Sequence, residues 1–114
     1  MQRERVSENV YWFQSEVYAQ VTAGVIVGPQ WAVLIDTLAL PEETLEMRDF
    51  IEKDLKVPVR YIILTHHHAD HCWGNSFFPG ATVIGHSLCR DLMLQKGIGA
   101  LEAARKQNPA YRQV

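Results

Sequence analysis

The sequence predicts one α/β domain, a mixed sheet with helices on one face, and three observations carry that prediction. Short β-branched and aromatic runs between turn signals read as strands. A strand, an amphipathic helix and a second strand follow one another between Trp31 and Thr65. The apolar run Ile62-Ile63-Leu64 then ends in six residues, five of which can bind a metal, and ligand sites of layered α/β folds lie at the carboxyl ends of such strands.

In chain order, Val10-Tyr11-Trp12-Phe13 is a short aromatic strand, and Val17 to Val27 is rich in β-branched and small residues. Gly28-Pro29 marks a turn before Trp31 to Ile35, so these runs read as a hairpin. Asp36 closes the second strand, where its carboxylate is either a structural cap or a support for the histidine loop.

Pro41-Glu42-Glu43 has the composition of a first helical turn, because proline tolerates the missing amide there and acids suit the positive end of the helix dipole. Met47, Phe50, Ile51 and Leu55 form a stripe at helical spacing that serves packing, and Val57-Pro58 stops the helix. Val59 to Thr65 is the next strand, and the right-handed crossover rule places Asp36 and His66 at the same end of adjacent or near-adjacent strands. Cys72-Trp73-Gly74-Asn75 begins a short helical turn, with Cys72 a buried thiol or a soft ligand. Thr82 to Gly85 is a strand ended by His86, which either lines the pocket or serves, as a spare histidine commonly does, as a hydrogen-bonding cap, and is not counted as a ligand. Ser87 caps a helix through Leu88, Leu92 and Met93, and Gly97 and Gly99 interrupt it before a segment around Leu101 to Lys106.

The chemistry concentrates at His66-His67-His68-Ala69-Asp70-His71. His66 and His68 are two apart and point the same way in extended chain, whereas His67 points oppositely. Imidazole and carboxylate are ordinary ligands of zinc and other borderline ions. Four ligands within six residues crowd a single ion, so two ions, or one ion with an outer carboxylate, relieve the geometry. The competing account, a histidine-rich loop that binds metal adventitiously, does not explain the upstream strand ending in Asp36.

Thr65-His66-His67-His68-Ala69-Asp70-His71 resembles the His-x-His-x-Asp-His motif of the metallo-beta-lactamase superfamily. Leu34-Ile35-Asp36-Thr37, Gly74-Asn75 and Val83-Ile84-Gly85-His86 resemble the family's flanking segments. The resemblance implies a partial αββα fold in which residues 1–114 form the N-terminal half of the domain. It implies His66 and His68 on one metal and Asp70 and His71 on a second, with Asp36 supporting them. Zinc is the first expectation for one or two divalent ions, with manganese or iron as alternatives. The family's third histidine for the first metal, its bridging Asp and its last histidine have no counterpart in this chain. The implied activity is metal-dependent hydrolysis, a metal-activated hydroxide attacking an ester, thioester, lactam or phosphodiester, with Asp70 the catalytic residue that helps orient the nucleophile. The alternative is a truncated, non-catalytic metal-binding domain or interaction module.

A chain of 114 residues with 47% apolar content suits one folded domain with a modest core. Its net charge of -2 offers no basic footprint for nucleic acid. Two cysteines set no disulfide framework, the residues before Val10 are charged and polar, and no apolar run reaches spanning length. The expectation is therefore a cytoplasmic protein without a membrane partner. Tyr61 and Ile63 point away from Ile62 and Leu64, so both sheet faces carry large apolar groups. Helices cover one face; the other calls for a homodimer or a polypeptide supplying a second sheet. A small-molecule substrate is expected if the site turns over.

Overall fold

The computed structural model describes the backbone of residues 1–114 and every side chain except that of Gln113. Six strands form one sheet in sequence order: β1 (Gln2–Ser7), β2 (Val10–Gln14), β3 (Thr22–Val27), β4 (Ala32–Ile35), β5 (Val59–Ile63) and β6 (Thr82–Ile84). The first four are an antiparallel meander, whereas β5 and β6 run parallel to β4, so the sheet is mixed. The crossover from β4 to β5 is α1 (Pro41–Asp49), prolonged by a wider turn over Phe50–Asp54. The one from β5 to β6 is α2 (Ala69–Cys72) with a tighter turn over Trp73–Phe77. Then come α3 (Ser87–Leu92), a wide turn over Met93–Gly97, and α4 (Ile98–Gln107).

Register explains the core. Val25, Leu34 and Ile62 are cross-strand partners on one face, all fully buried, and they join Phe13, Met47 and Ile51 in one cluster. Burying each such side chain contributes about 1.5–3 kcal/mol. Phe50 and Leu55 complete the expected helical stripe as half-buried neighbours of that core. The row beside it, Gly24, Ile35, Ile63 and Ile84, faces the other way, as do Ile26, Val33 and Tyr61. That face is apolar yet open: Ile26, Ile63 and Ile84 are 45%, 39% and 46% exposed, and Trp31 stacks edge-on to Tyr61.

Four local expectations change. The run from Val17 becomes a strand only at Thr22, because Ala19 and Gln20 take left-handed angles, φ 50° and 55°, in the turn before it. The polar segment before Val10 is a strand, β1, paired with β2 at the sheet edge; there Arg3 reaches over the Phe50 ring at 3.8 Å. Gly97 does not interrupt the helix, since it has helical angles and the chain passes through it into α4. The N-cap of α3 is the His86 side chain, which accepts from the Leu88 N–H, in place of Ser87. Among the described residues no helix is long and apolar enough to cross a membrane.

Candidate metal centre

The site begins where β4 and β5 end side by side. Ile35 pairs with Ile63, and the Asp36 N–H donates to the Ile63 carbonyl at 3.0 Å, so the segments beyond both strands leave together. Asp36 has φ 60° and Leu38 φ 66°, left-handed conformations that are uncommon for residues other than glycine. Surrounding bonds hold them. Thr37 N–H donates to the His71 carbonyl at 2.9 Å, Gly74 N–H to the Leu38 carbonyl at 3.2 Å, and the Thr44 hydroxyl to the Thr37 carbonyl at 2.7 Å. Gly74 is required here, because a Cβ at that position would lie 2.1 Å from the Thr37 carbonyl oxygen.

Asp36 is buried, and its carboxylate is the root of a hydrogen-bond tree. Oδ1 accepts from Thr65 N–H at 2.9 Å; Oδ2 accepts from the Thr65 hydroxyl at 2.7 Å and from His71 Nδ1 at 2.8 Å. A carboxylate only accepts, so Nδ1 of His71 carries the proton and a neutral ring keeps its lone pair on Nε2. Thr65 has one hydroxyl proton, given to Asp36, so its oxygen accepts from His66 Nδ1 at 2.9 Å. His66 therefore also presents Nε2 as a lone pair. Burial first, then the neighbouring rings of His71 and His68, lower the His66 pKa from its ordinary value.

The side chains converge. One donor atom from each of His66, Asp70 and His71 lies within 4.8 Å of the others. His71 Nε2 faces Asp70 Oδ2 at 3.5 Å, two acceptors with no proton between them unless the ring is charged, an arrangement that a cation would satisfy. The donor set thus fits a divalent ion of the kind that nitrogen and oxygen ligands hold. His68 precedes α2 with extended angles, its ring edge-on to that of His66 at 4.8 Å between centroids. It stands outside the close triad, so the expected pairing of His66 with His68 is looser here than the grouping of His66 with Asp70 and His71. The His67 ring meets that of His68 edge-on. Cys72 is a buried thiol that donates to the His67 carbonyl, and burial pushes its pKa up to about 12, so it does not offer a thiolate. His86 is occupied as the cap of α3. Thr65, assigned no role from the sequence, links Asp36 to His66; the signal available was a hydroxyl directly between the motif and the strand that carries it.

The model of the metallo-beta-lactamase superfamily matches residues 18–107. The chain belongs to that superfamily. Solved structures agree on the fold. A metallo-beta-lactamase from Pontibacter korlensis aligns with a TM-score of 0.75 at 26% identity, covering 84% of this chain and 48% of that one. One from Cronobacter sakazakii, altered in its HARLDQ motif, gives 0.69 at 26% identity over 85% of this chain and 39% of that one. A third, from Pseudomonas aeruginosa in a mono-zinc form, gives 0.71 at 18% identity, covering 84% and 46%. The chain therefore spans about half the length of the first and third structures, and less of the second. The superfamily motif accounts for the donors at His66, Asp70 and His71, and the mixed sheet is the part of the metallo-beta-lactamase fold that this chain contains.

Proposed function

We propose that this chain is the ligand-bearing, N-terminal half of a metal-dependent hydrolase domain, with His66, His68, Asp70 and His71 as metal ligands and Asp36 as their supporting carboxylate. The observation that carries the reading is the tree rooted at Asp36, which leaves the Nε2 atoms of His66 and His71 free beside Asp70. A bound divalent ion, zinc first and manganese or iron as alternatives, would lower the pKa of water and offset charge developing on a carbonyl or phosphoryl oxygen. The chain's own residues do the rest. Asp36 fixes the His71 ring and, through Thr65, the His66 ring, while Asp70 orients the attacking water toward an ester, thioester, lactam or phosphodiester. The second reading is a metal-binding module without turnover, which would use the same donor cluster to hold the ion alone.

Zinc titration by calorimetry tests the ligands. His66→Ala, Asp70→Ala and His71→Ala should each weaken binding by about 100-fold or more, beyond the range for outer-sphere partners. His68→Ala should cost less, since His68 lies outside the close triad. Equal affinity of all variants and the parent would overturn the assignment. A screen of the four substrate classes with added zinc then separates hydrolase from binding module.

The open sheet face supports a partner, either a second copy of this chain or a polypeptide supplying a second sheet. A contiguous apolar surface including Ile26, Ile63 and Ile84 is a liability in a lone monomer. Sedimentation over a concentration series should show association that Ile63→Glu abolishes without unfolding the chain. A folded monomer persisting at high concentration would exclude the homodimer.

A further inference from the structure

We propose that the cavity between α2 and α4 binds the acyl chain of the substrate, making the favoured substrate class esters or thioesters of unbranched, medium-length carboxylic acids. The proposal rests on the hydrolase reading for its chemistry, but the binding it requires stands alone.

The cavity has a volume of about 370 Å³, within the range of small-molecule sites. Its apolar wall is built by Ala69, Trp73, Met93, Ile98 and Leu101. His67 and His68 line the cavity as well, and the His68 ring stands 4.8 Å from that of His66 between centroids, which links the cavity to the donor triad. An occupant with its aliphatic tail against Trp73, Met93 and Leu101 and its carbonyl at His68 has that carbonyl beside the triad's neighbour. Water adds to the carbonyl carbon, the bond to oxygen or sulfur breaks, and its electron pair leaves with a proton as alcohol or thiol, releasing the acid. Gly97 also lines this cavity where α4 begins.

The wall is held independently of any metal. Trp73 stacks edge-on to Tyr111 at 4.8 Å between centroids, and Cys72 anchors α2 in the core. The probe is therefore octanamide, an uncharged acyl analogue that resists hydrolysis, added to the full chain in the presence of a chelator. Methyl and indole NMR shifts distinguish this cavity from the open sheet face. Saturable shifts are expected at Met93, Ile98, Leu101 and Trp73, with affinity rising about three- to fourfold per methylene from butanamide to octanamide. Ile98 is 62% exposed, so Ile98→Glu should leave the fold intact while weakening octanamide binding about tenfold. Shifts confined to Ile26, Ile63 and Ile84, an affinity indifferent to Ile98→Glu, or no saturable shift would each overturn the acyl site. Failure of hydrolysis leaves the metal-free result standing, whereas turnover of phosphodiesters without amide binding removes the acyl site and keeps the hydrolase.

Discussion

An Asp36→Asn variant is expected to bind zinc about 10–100-fold more weakly than the parent while keeping its fold. Asparagine is among the few residues that accept the left-handed angles of position 36, so the backbone conformation at φ 60° survives the change. The hydrogen bonding does not. The carboxylate receives three donors, Thr65 N–H, the Thr65 hydroxyl and His71 Nδ1–H, and an amide offers one acceptor oxygen and sets a donor NH2 against the others. His71 then loses the partner that holds its proton on Nδ1, and the Thr65 hydroxyl no longer has a charged acceptor directing it away from His66. Nitrogen NMR of the metal-free protein should register the same event as a redistribution of the His71 and His66 tautomers. A buried donor left without an acceptor should also lower stability by about 1–3 kcal/mol. Unchanged zinc affinity together with unchanged tautomers would show that Asp36 merely caps the end of its strand.

Gly74→Ala should be the most destabilising single methyl that this site can receive. The added carbon would meet the Thr37 carbonyl oxygen at 2.1 Å and the Thr44 side chain at 2.7 Å, and neither is a flexible end that can swing aside. Overpacking against backbone belongs at the upper part of its usual range, about 3 kcal/mol, measured as a shift of the urea midpoint at constant slope. Zinc affinity should fall with it, because Gly74 is bonded to Leu38 and Thr37 to the His71 backbone, so pushing the segments apart displaces His71 from Asp36. A variant as stable as the parent would mean that α2 and the loop after β4 do not pack as described.

Particular elements show how far the sequence reaches. The hairpin of β3 and β4 and the crossover through α1 were legible, because turn residues and periodicity are local signals: Gly28-Pro29 marks the turn, and Met47 and Ile51 mark the buried stripe. The strand β1 was not, since Gln2 to Ser7 is exposed along its whole length and an edge strand with no buried face leaves no alternation to read. Gly97 misled in the opposite direction. Glycine costs a helix only about 1 kcal/mol, which tertiary context readily offsets, so its presence did not end the helix.

The metal motif is the clearest division of labour. By itself the sequence determined that donors would stand at the carboxyl end of a buried strand, beside a second strand ending in an acid, since these follow from strand periodicity and crossover handedness. Only the tertiary structure decided which donors converge. It grouped His66 with Asp70 and His71, left His68 at the side, and made Thr65 the link from Asp36 to His66. The physical reason is that α2 turns the chain back immediately after His68, and the Thr37 bond to the His71 backbone fixes where it returns. Spacing along a chain specifies which side chains are available, but the His71 ring is directed by Asp36, 35 residues away, and the His66 ring by Thr65, whose own acceptor Asp36 lies 29 residues before it.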